Sequence, residues 1–253
     1  PSSWKWTSAD RLLLRLIAEA HRRGMRVVLD GVFNHVGVTH WAFRDVLRNG
    51  RASPFADWFR IESFDDPATP ENELRYTGWA GVAELPELRD VGDTLAPGPR
   101  EHVRRIVRRW GDPDGDGDPS DGVDGWRLDV AEMVGHGFWR EFRGWVREVN
   151  PEAYIVGEVW WQDWPNNKMF DAEPWLRGDQ FDAVMNYRFA AAVKAFFLDR
   201  RSAIAPSELD RRLARVRADY RPEVAPVLMN LLDSHDTDRL ASQAVNPDTL
   251  HDH

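Results

Sequence analysis

Apolar positions recur with helical period over residues 9–24. Leu12, Leu13, Leu16, Ile17 and Ala20 fall on one stripe, Ala9-Asp10 offers a capped start and Gly24 a stop. The next segment, Met25-Arg26-Val27-Val28-Leu29-Asp30-Gly31-Val32-Phe33, is short and nearly all apolar. That pattern predicts a strand buried on both faces of a parallel sheet. The alternation repeats along the chain. A helix over 100–110 precedes a strand over 123–130, and a helix over 137–149 precedes a strand over 153–160. A strand over 181–187 is followed by a helix over 189–199, and a helix over 207–219 precedes a strand over 225–232. Helices alternating with buried strands predict an α/β fold around a parallel sheet.

Residues 36–99 break this rhythm. They are rich in Pro, Gly, Asp and aromatic residues and show no clear period. A stretch of that length between a strand and its helix is too long for bare loop, so it reads as an inserted irregular subdomain.

Composition narrows the functional classes. The 253 residues carry 42 acidic and 33 basic side chains, a net charge of −9 that disfavours a general nucleic-acid binder. The absence of cysteine excludes disulfides, thiolate-held metals and a thiol nucleophile. No apolar run approaches the ~20 residues of a membrane span, and no leader is visible. Thirteen tryptophans are a heavy load; for any single one, core packing is the simpler reading than a ligand-stacking surface.

Polar residues gather where the predicted strands end. They are Asp30 with Asn34 and His35, Arg127 with Asp129, Glu158, Asn186, and Asp233 with His235 and Asp236. In parallel α/β folds, ligands bind at the carboxyl edge of the strands, so these side chains are expected to converge on one cleft. The phosphate-binding, dinucleotide-binding and serine-elbow motifs are missing. What is left is a set of carboxylates with one Arg and two His. Two carboxylates on neighbouring strand ends suit glycoside cleavage, one as nucleophile and the other as proton donor and acceptor. Arg127 lies two residues before Asp129, on the same face of one strand, where it can hold that carboxylate charged and oriented.

Four strings carry a family resemblance: Asp30-Gly-Val-Phe-Asn-His35, Gly125-Trp-Arg-Leu-Asp129, Gly157-Glu158-Val-Trp160 and Asp233-Ser-His-Asp236. In this order they resemble the four short motifs of the α-amylase family of glycoside hydrolases. Leu85-Pro86-Glu87-Leu88 stands where that family has a further short motif, and the flanking sequence looks nearest to its cyclomaltodextrinase, neopullulanase and maltogenic amylase branch.

The resemblance implies a (β/α)₈ TIM barrel, present here in part as about strands three to seven. Residues 1–35 and 100–253 would form the barrel portion and 36–99 an inserted B subdomain. It implies retaining hydrolysis of α-1,4-glucosidic bonds in malto-oligosaccharides, cyclodextrins, pullulan or starch. The alternatives are an α-glucosidase or glucanotransferase on the same fold, or a non-catalytic carbohydrate-binding fragment. By motif, Asp129 would be the nucleophile, Glu158 the general acid/base and Asp236 the stabiliser of the transition state. Arg127, His35 and His235 would bind substrate or orient Asp129, and Asp30 would be a structural partner of Arg127. No cofactor or metal is expected; the acidic loop Asp112–Asp121 lacks the distal Glu of a calcium-binding EF-hand. The expected partner is an α-glucan, with no nucleic acid and no membrane, in a cytoplasmic and homodimeric parent.

The chain departs from that branch in two places. Val130-Ala131-Glu132 follows Asp129 where the branch usually has its acidic residue one position later. Trp160-Trp161-Gln162 follows Glu158 where a histidine is common. Both bear on the acceptor sugar.

Overall fold

The computed structural model describes residues 4–66, 68–163, 165–166, 168–198 and 203–243. The chain divides into two compact units, Pro1–Glu158 and Val159–His253.

The first unit begins with α1 (Ser8–Arg22), whose start is a capping box. Thr7 Oγ1 accepts from the Asp10 amide at 3.1 Å, and the Asp10 carboxylate accepts from the Thr7 amide at 2.7 Å. The cap thus lies two residues ahead of the Ala9-Asp10 start expected from sequence. Only part of the predicted apolar stripe is covered: Ile17 and Ala20 are buried, whereas Leu12 and Leu16 are exposed.

Strand β1 (Val28–Gly31) follows. It pairs in parallel with β6 (Gly125–Leu128), and β6 pairs in parallel with β7 (Tyr154–Gly157). The register places Asp30 beside Arg127 and Arg127 beside Val156. Every residue of β6 is buried. β1 corrects the sequence expectation, because it is not buried on both faces. Val28 is 42% exposed and Asp30 is also open. The strand has the apolar composition of an interior strand, but burial depends on neighbours, and within this unit β1 is covered by a pairing strand on one side only. Gly125 permits the β6–β7 pairing, since a Cβ there would lie 2.3 Å from the Tyr154 carbonyl oxygen.

Residues 36–99 are more ordered than their sequence predicts. They contain α2 (Trp41–Asn49), which buries Ala42, Phe43 and Val46. They also contain the antiparallel pairs β2 (Ile61–Ser63) with β3 (Arg75–Tyr76) and β4 (Asp90–Val91) with β5 (Thr94–Leu95). The spacing of Ala42, Phe43 and Val46 is helical, but the helix has only nine residues and is hidden among loop-forming residues. Two long helices close the unit, α3 (Pro97–Gly111) and α4 (His136–Val149). α4 buries Phe138, Trp139, Phe142 and Val146, and its aromatic face meets Phe33 and Trp126. Aromatic packing thus dominates this core, with edge-to-face contacts such as Trp139 on Phe142.

The second unit holds the antiparallel pair β8 (Trp161–Asp163) and β9 (Lys168–Met169). It also holds β10 (Ala183–Asn186), α5 (Tyr187–Phe197), α6 (Pro206–Ala218), β11 (Met229–Asn230) and a short α7 (Leu240–Gln243). β10 and β11 pair in parallel. The strand expected over 225–232 is cut to Met229–Asn230, and both residues are exposed. Pro226 sits in a 3₁₀ turn, Ala225–Val227, and cannot donate to a ladder, which is why the strand starts late. The helix expected over 189–199 begins two residues earlier, and residue 199 lies outside the described residues. Five of the strands therefore run parallel as the sequence predicts, three in the first unit and two in the second.

Candidate active site

The carboxyl ends of β1, β6 and β7 carry a compact charged cluster centred on Arg127. Its guanidinium is buried, with 8% of the residue exposed. Nη1 donates to Asp30 Oδ1 at 2.8 Å and to Asp129 Oδ1 at 2.6 Å, while Nη2 lies 2.7 Å from Glu158 Oε2. Burial opposes the charge on Arg127, but its bonds to Asp30 and Asp129 and the charge of Glu158 outweigh it and hold the guanidinium above its ordinary range. The parallel register explains the convergence, since three adjacent strand ends present one acidic side chain each to one cation.

The two carboxylates of the pair differ in environment. Glu158 is 4% exposed. Its Oε2 accepts from the Val130 amide at 3.2 Å, and its backbone is fixed by bonds to Leu128 and Ala131. Asp129 is more open, with 17% of its side chain accessible. The backbone between them turns sharply: Val130 has φ 38° and ψ 47°, a left-handed conformation unusual for a β-branched residue. A 3₁₀ turn, Ala131–Met133, follows, and Trp139 Nε1 of α4 donates to the Ala131 carbonyl at 2.8 Å.

His35 stands just beyond β1 and is 7% exposed. Asn34 Nδ2 donates to His35 Nδ1 at 3.3 Å, which places the proton of the neutral ring on Nε2. Burial lowers the imidazole pKa, partly offset by the charges of Asp129 and Glu87. Glu87 belongs to the Leu85–Leu88 string, whose backbone pairs antiparallel with residues 34–38. The Trp79 indole stacks on His35, with centroids 4.9 Å apart and planes 12° apart. Sequence reasoning missed Trp79, because only the fold brings it to His35. It also missed the left-handed Val130, since valine gives no signal for that conformation.

His235 and Asp236 belong to the second unit, where His235 Nε2 lies 3.1 Å from Asp236 Oδ2 and both side chains are exposed. In the same unit Trp160 stacks on Tyr187, with centroids 3.8 Å apart and planes 2° apart, so one of its faces is already occupied. Asn186 donates to Asn230 Oδ1 at 2.8 Å, linking the ends of β10 and β11.

Two other features share no residue with the Arg127 cluster. A cavity of about 780 Å³ in the first unit is lined mainly by aromatic side chains, among them Trp4, Trp41, Phe55 and Trp58. Asp112, Asp114 and Asp121 bring one carboxylate oxygen each to within 4.8 Å of one another. Burial, then the charges of Asp114 and Asp112, raise the Asp121 pKa. Among the described residues no helix is long and apolar enough to cross a membrane.

The chain is similar to known proteins over most of its length. The model of the α-amylase catalytic domain matches residues 9–251. The chain is 43% identical over 251 residues to neopullulanase 2 of Thermoactinomyces vulgaris, covering 94% of this chain and 39% of that protein. It is 39% identical to a cyclomaltodextrinase of Geobacillus thermopakistaniensis, covering 95% of this chain and 39% of the relative. Among solved structures, the debranching enzyme of Nostoc punctiforme superposes with a TM-score of 0.76 at 39% identity, over 93% of this chain and 47% of that one. The chain thus spans about two fifths of the length of these curated relatives. It carries part of a TIM barrel, and it belongs to the α-amylase catalytic domain family.

Proposed function

We propose that this chain supplies the core of a retaining glycoside hydrolase that cleaves α-1,4-glucosidic bonds in malto-oligosaccharides, cyclodextrins, pullulan or starch. The observation that carries this reading is one buried guanidinium shared by Asp129, Asp30 and Glu158 at adjacent strand ends. The names of the relatives, neopullulanase and cyclomaltodextrinase, supply the substrate classes.

In this reading Asp129 attacks the anomeric carbon as the glycosidic C–O bond breaks, and Glu158 gives its proton to the leaving oxygen. Glu158 then takes a proton from water, which attacks the anomeric carbon and releases Asp129. Arg127 fixes the lobe of Asp129 that attacks, through its 2.6 Å bond. With Glu158 carrying its proton, the carboxylates of Asp30 and Asp129 against one guanidinium still leave the cluster formally anionic, which favours the positive charge that develops on the sugar. Asp236 and His235 bind hydroxyls of the cleaved sugar, and His35 donates from Nε2 to another. Residues 1–35 and 100–253 serve as barrel and 36–99 as the inserted subdomain. A cytoplasmic location fits the name of a 38% identical relative, the intracellular maltogenic amylase of Bacillus subtilis.

The test is reducing-sugar release from β-cyclodextrin, pullulan and soluble starch. Asp129→Asn should lower turnover at least about a hundredfold while leaving sugar binding largely intact. A variant that keeps more than that, or a folded wild-type protein inert on all three substrates, overturns the assignment.

A further inference from the structure

The inserted segment spends unusual backbone geometry to place one indole. Trp79 opens a 3₁₀ turn, Trp79–Gly81, in which Ala80 has φ 52° and ψ 25°. Few non-glycine residues adopt this left-handed conformation, and it persists only where the surroundings enforce it. The enforcement is visible. The Trp79 amide donates to the Leu85 carbonyl at 2.9 Å, and the Val82 amide donates back to the Trp79 carbonyl at 2.9 Å. Gly78 bridges to Pro86, and a Cβ on Gly78 would lie 2.0 Å from the Val82 carbonyl oxygen. The Pro86 and Glu84 carbonyls in turn accept from the amides of Val36 and Val38. The turn is therefore bound to the segment that carries His35.

The result is the near-parallel stack of Trp79 on His35. The Trp79 Nε1 is buried and has no hydrogen-bond partner among the described residues, so its N–H does not hold the indole in place; ring contact and the turn do. On the imidazole edge, Nδ1 is engaged by Asn34. One edge contact and one stacked face together fix the ring plane, and the direction of Nε2–H with it.

We infer that Trp79 is a positioning residue, which holds the His35 imidazole in the one orientation that offers Nε2–H to a sugar hydroxyl. The inference rests on the reading of this cleft as a glucan site, but its structural half is testable without turnover. The charged groups facing His35 are Asp129 from the end of β6 and Glu87 from the insert, and both favour protonation. Burial opposes it, and removing the indole admits water to the ring.

The experiment follows the His35 Cε1–H resonance against pH in the intact chain, assigned by its loss in His35→Gln, beside kcat and KM on β-cyclodextrin. Trp79→Ala should move the His35 midpoint upward toward 6.5. It should also lower kcat/KM about tenfold, the loss of one well-aligned hydrogen bond. Trp79→Phe keeps a flat face and should stay within about threefold of wild type, with an unmoved midpoint. If Trp79→Ala melts, Trp79→Leu fills the volume without a flat face and takes its place. A wild-type midpoint in the Ala or Leu variant overturns the inference, as does a Phe variant as impaired as Ala. A shifted midpoint in a protein that hydrolyses nothing upholds the positioning role and rejects the glucan hydrolase instead.

Discussion

The first unit contains two carboxylate clusters, and they solve the same electrostatic problem differently. Around Arg127, Asp30, Asp129 and Glu158 share a buried cation. In the Asp112–Asp121 loop, none of Asp112, Asp114 and Asp121 is ion-paired among the described residues. There, backbone amides take the cation's place: Asp112 accepts from Gly115 at 2.8 Å and from Gly117 at 3.0 Å, and Asp114 from Asp116 at 3.1 Å. The difference follows from solvent. In the exposed loop water screens the repulsion, so weak local bonds suffice. At the strand ends burial removes that screening, and only a full positive charge compensates. Density of acidic residues therefore says little about chemistry; burial with a fixed counter-charge says much.

The largest expected effect breaks the buried cluster. Arg127→Ala leaves Glu158 buried without its cation and should destabilise the chain by roughly 3–5 kcal/mol, read from the urea midpoint. A loss below about 1 kcal/mol would mean the cluster is as well screened as the loop.

A second effect comes from imidazoles that burial keeps neutral. His40 and His102 lie edge to face with centroids 5.9 Å apart, within the aromatic cluster of Trp41 and Trp58. Burial, then the charge of His40, pushes the His102 pKa down to about 4. The unfolded chain therefore binds the proton more readily. Stability is fully present above pH 6.5 and is lost progressively as pH falls from there toward 4. The loss should be on the order of 2–3 kcal/mol, and His102→Gln should flatten that part of the stability curve. Melting curves at pH 4, 5 and 7 measure it, and an unchanged slope in His102→Gln refutes it.

The smallest effect belongs to the open loop. Asp121→Asn removes a carboxylate whose charge burial and then its acidic neighbours oppose, and should raise the melting temperature slightly, by less than about 1 kcal/mol in stability. A clear destabilisation would show that the Asp121 charge is used.

Much of this was legible in the sequence. Among the described residues the strand–helix alternation located each of the long helices α1, α3, α4, α5 and α6, because apolar periodicity is carried by residues such as Phe138, Phe142 and Val146. The polar ends of β1, β6 and β7 were legible because register follows from parallel pairing, which brings Asp30 beside Arg127. Burial was less legible. The composition of β1 and the Leu12/Leu16 stripe reads as interior, yet exposure depends on which elements lie beside them. α2 was missed because nine residues carry too little periodic signal amid turn formers. The Trp79 stack was illegible because 44 positions separate it from His35 and only tertiary pairing of 34–38 with 84–88 closes that distance.

The Ala131 peptide deserves a last consequence. Its amide donates to the Glu158 carbonyl at 2.9 Å, and its carbonyl accepts from the Trp139 indole at 2.8 Å. A helix in the aromatic core and the end of β7 are thus tied to one residue, through the two peptide units that flank its Cα. Substitutions at Phe138 or Phe142, in the aromatic core, would reach the strand-end carboxylates as small rotations of that joint. If the proposed hydrolase reading holds, α4 is a tuning dial, a place where substitutions adjust the Asp129–Glu158 geometry without touching either carboxylate.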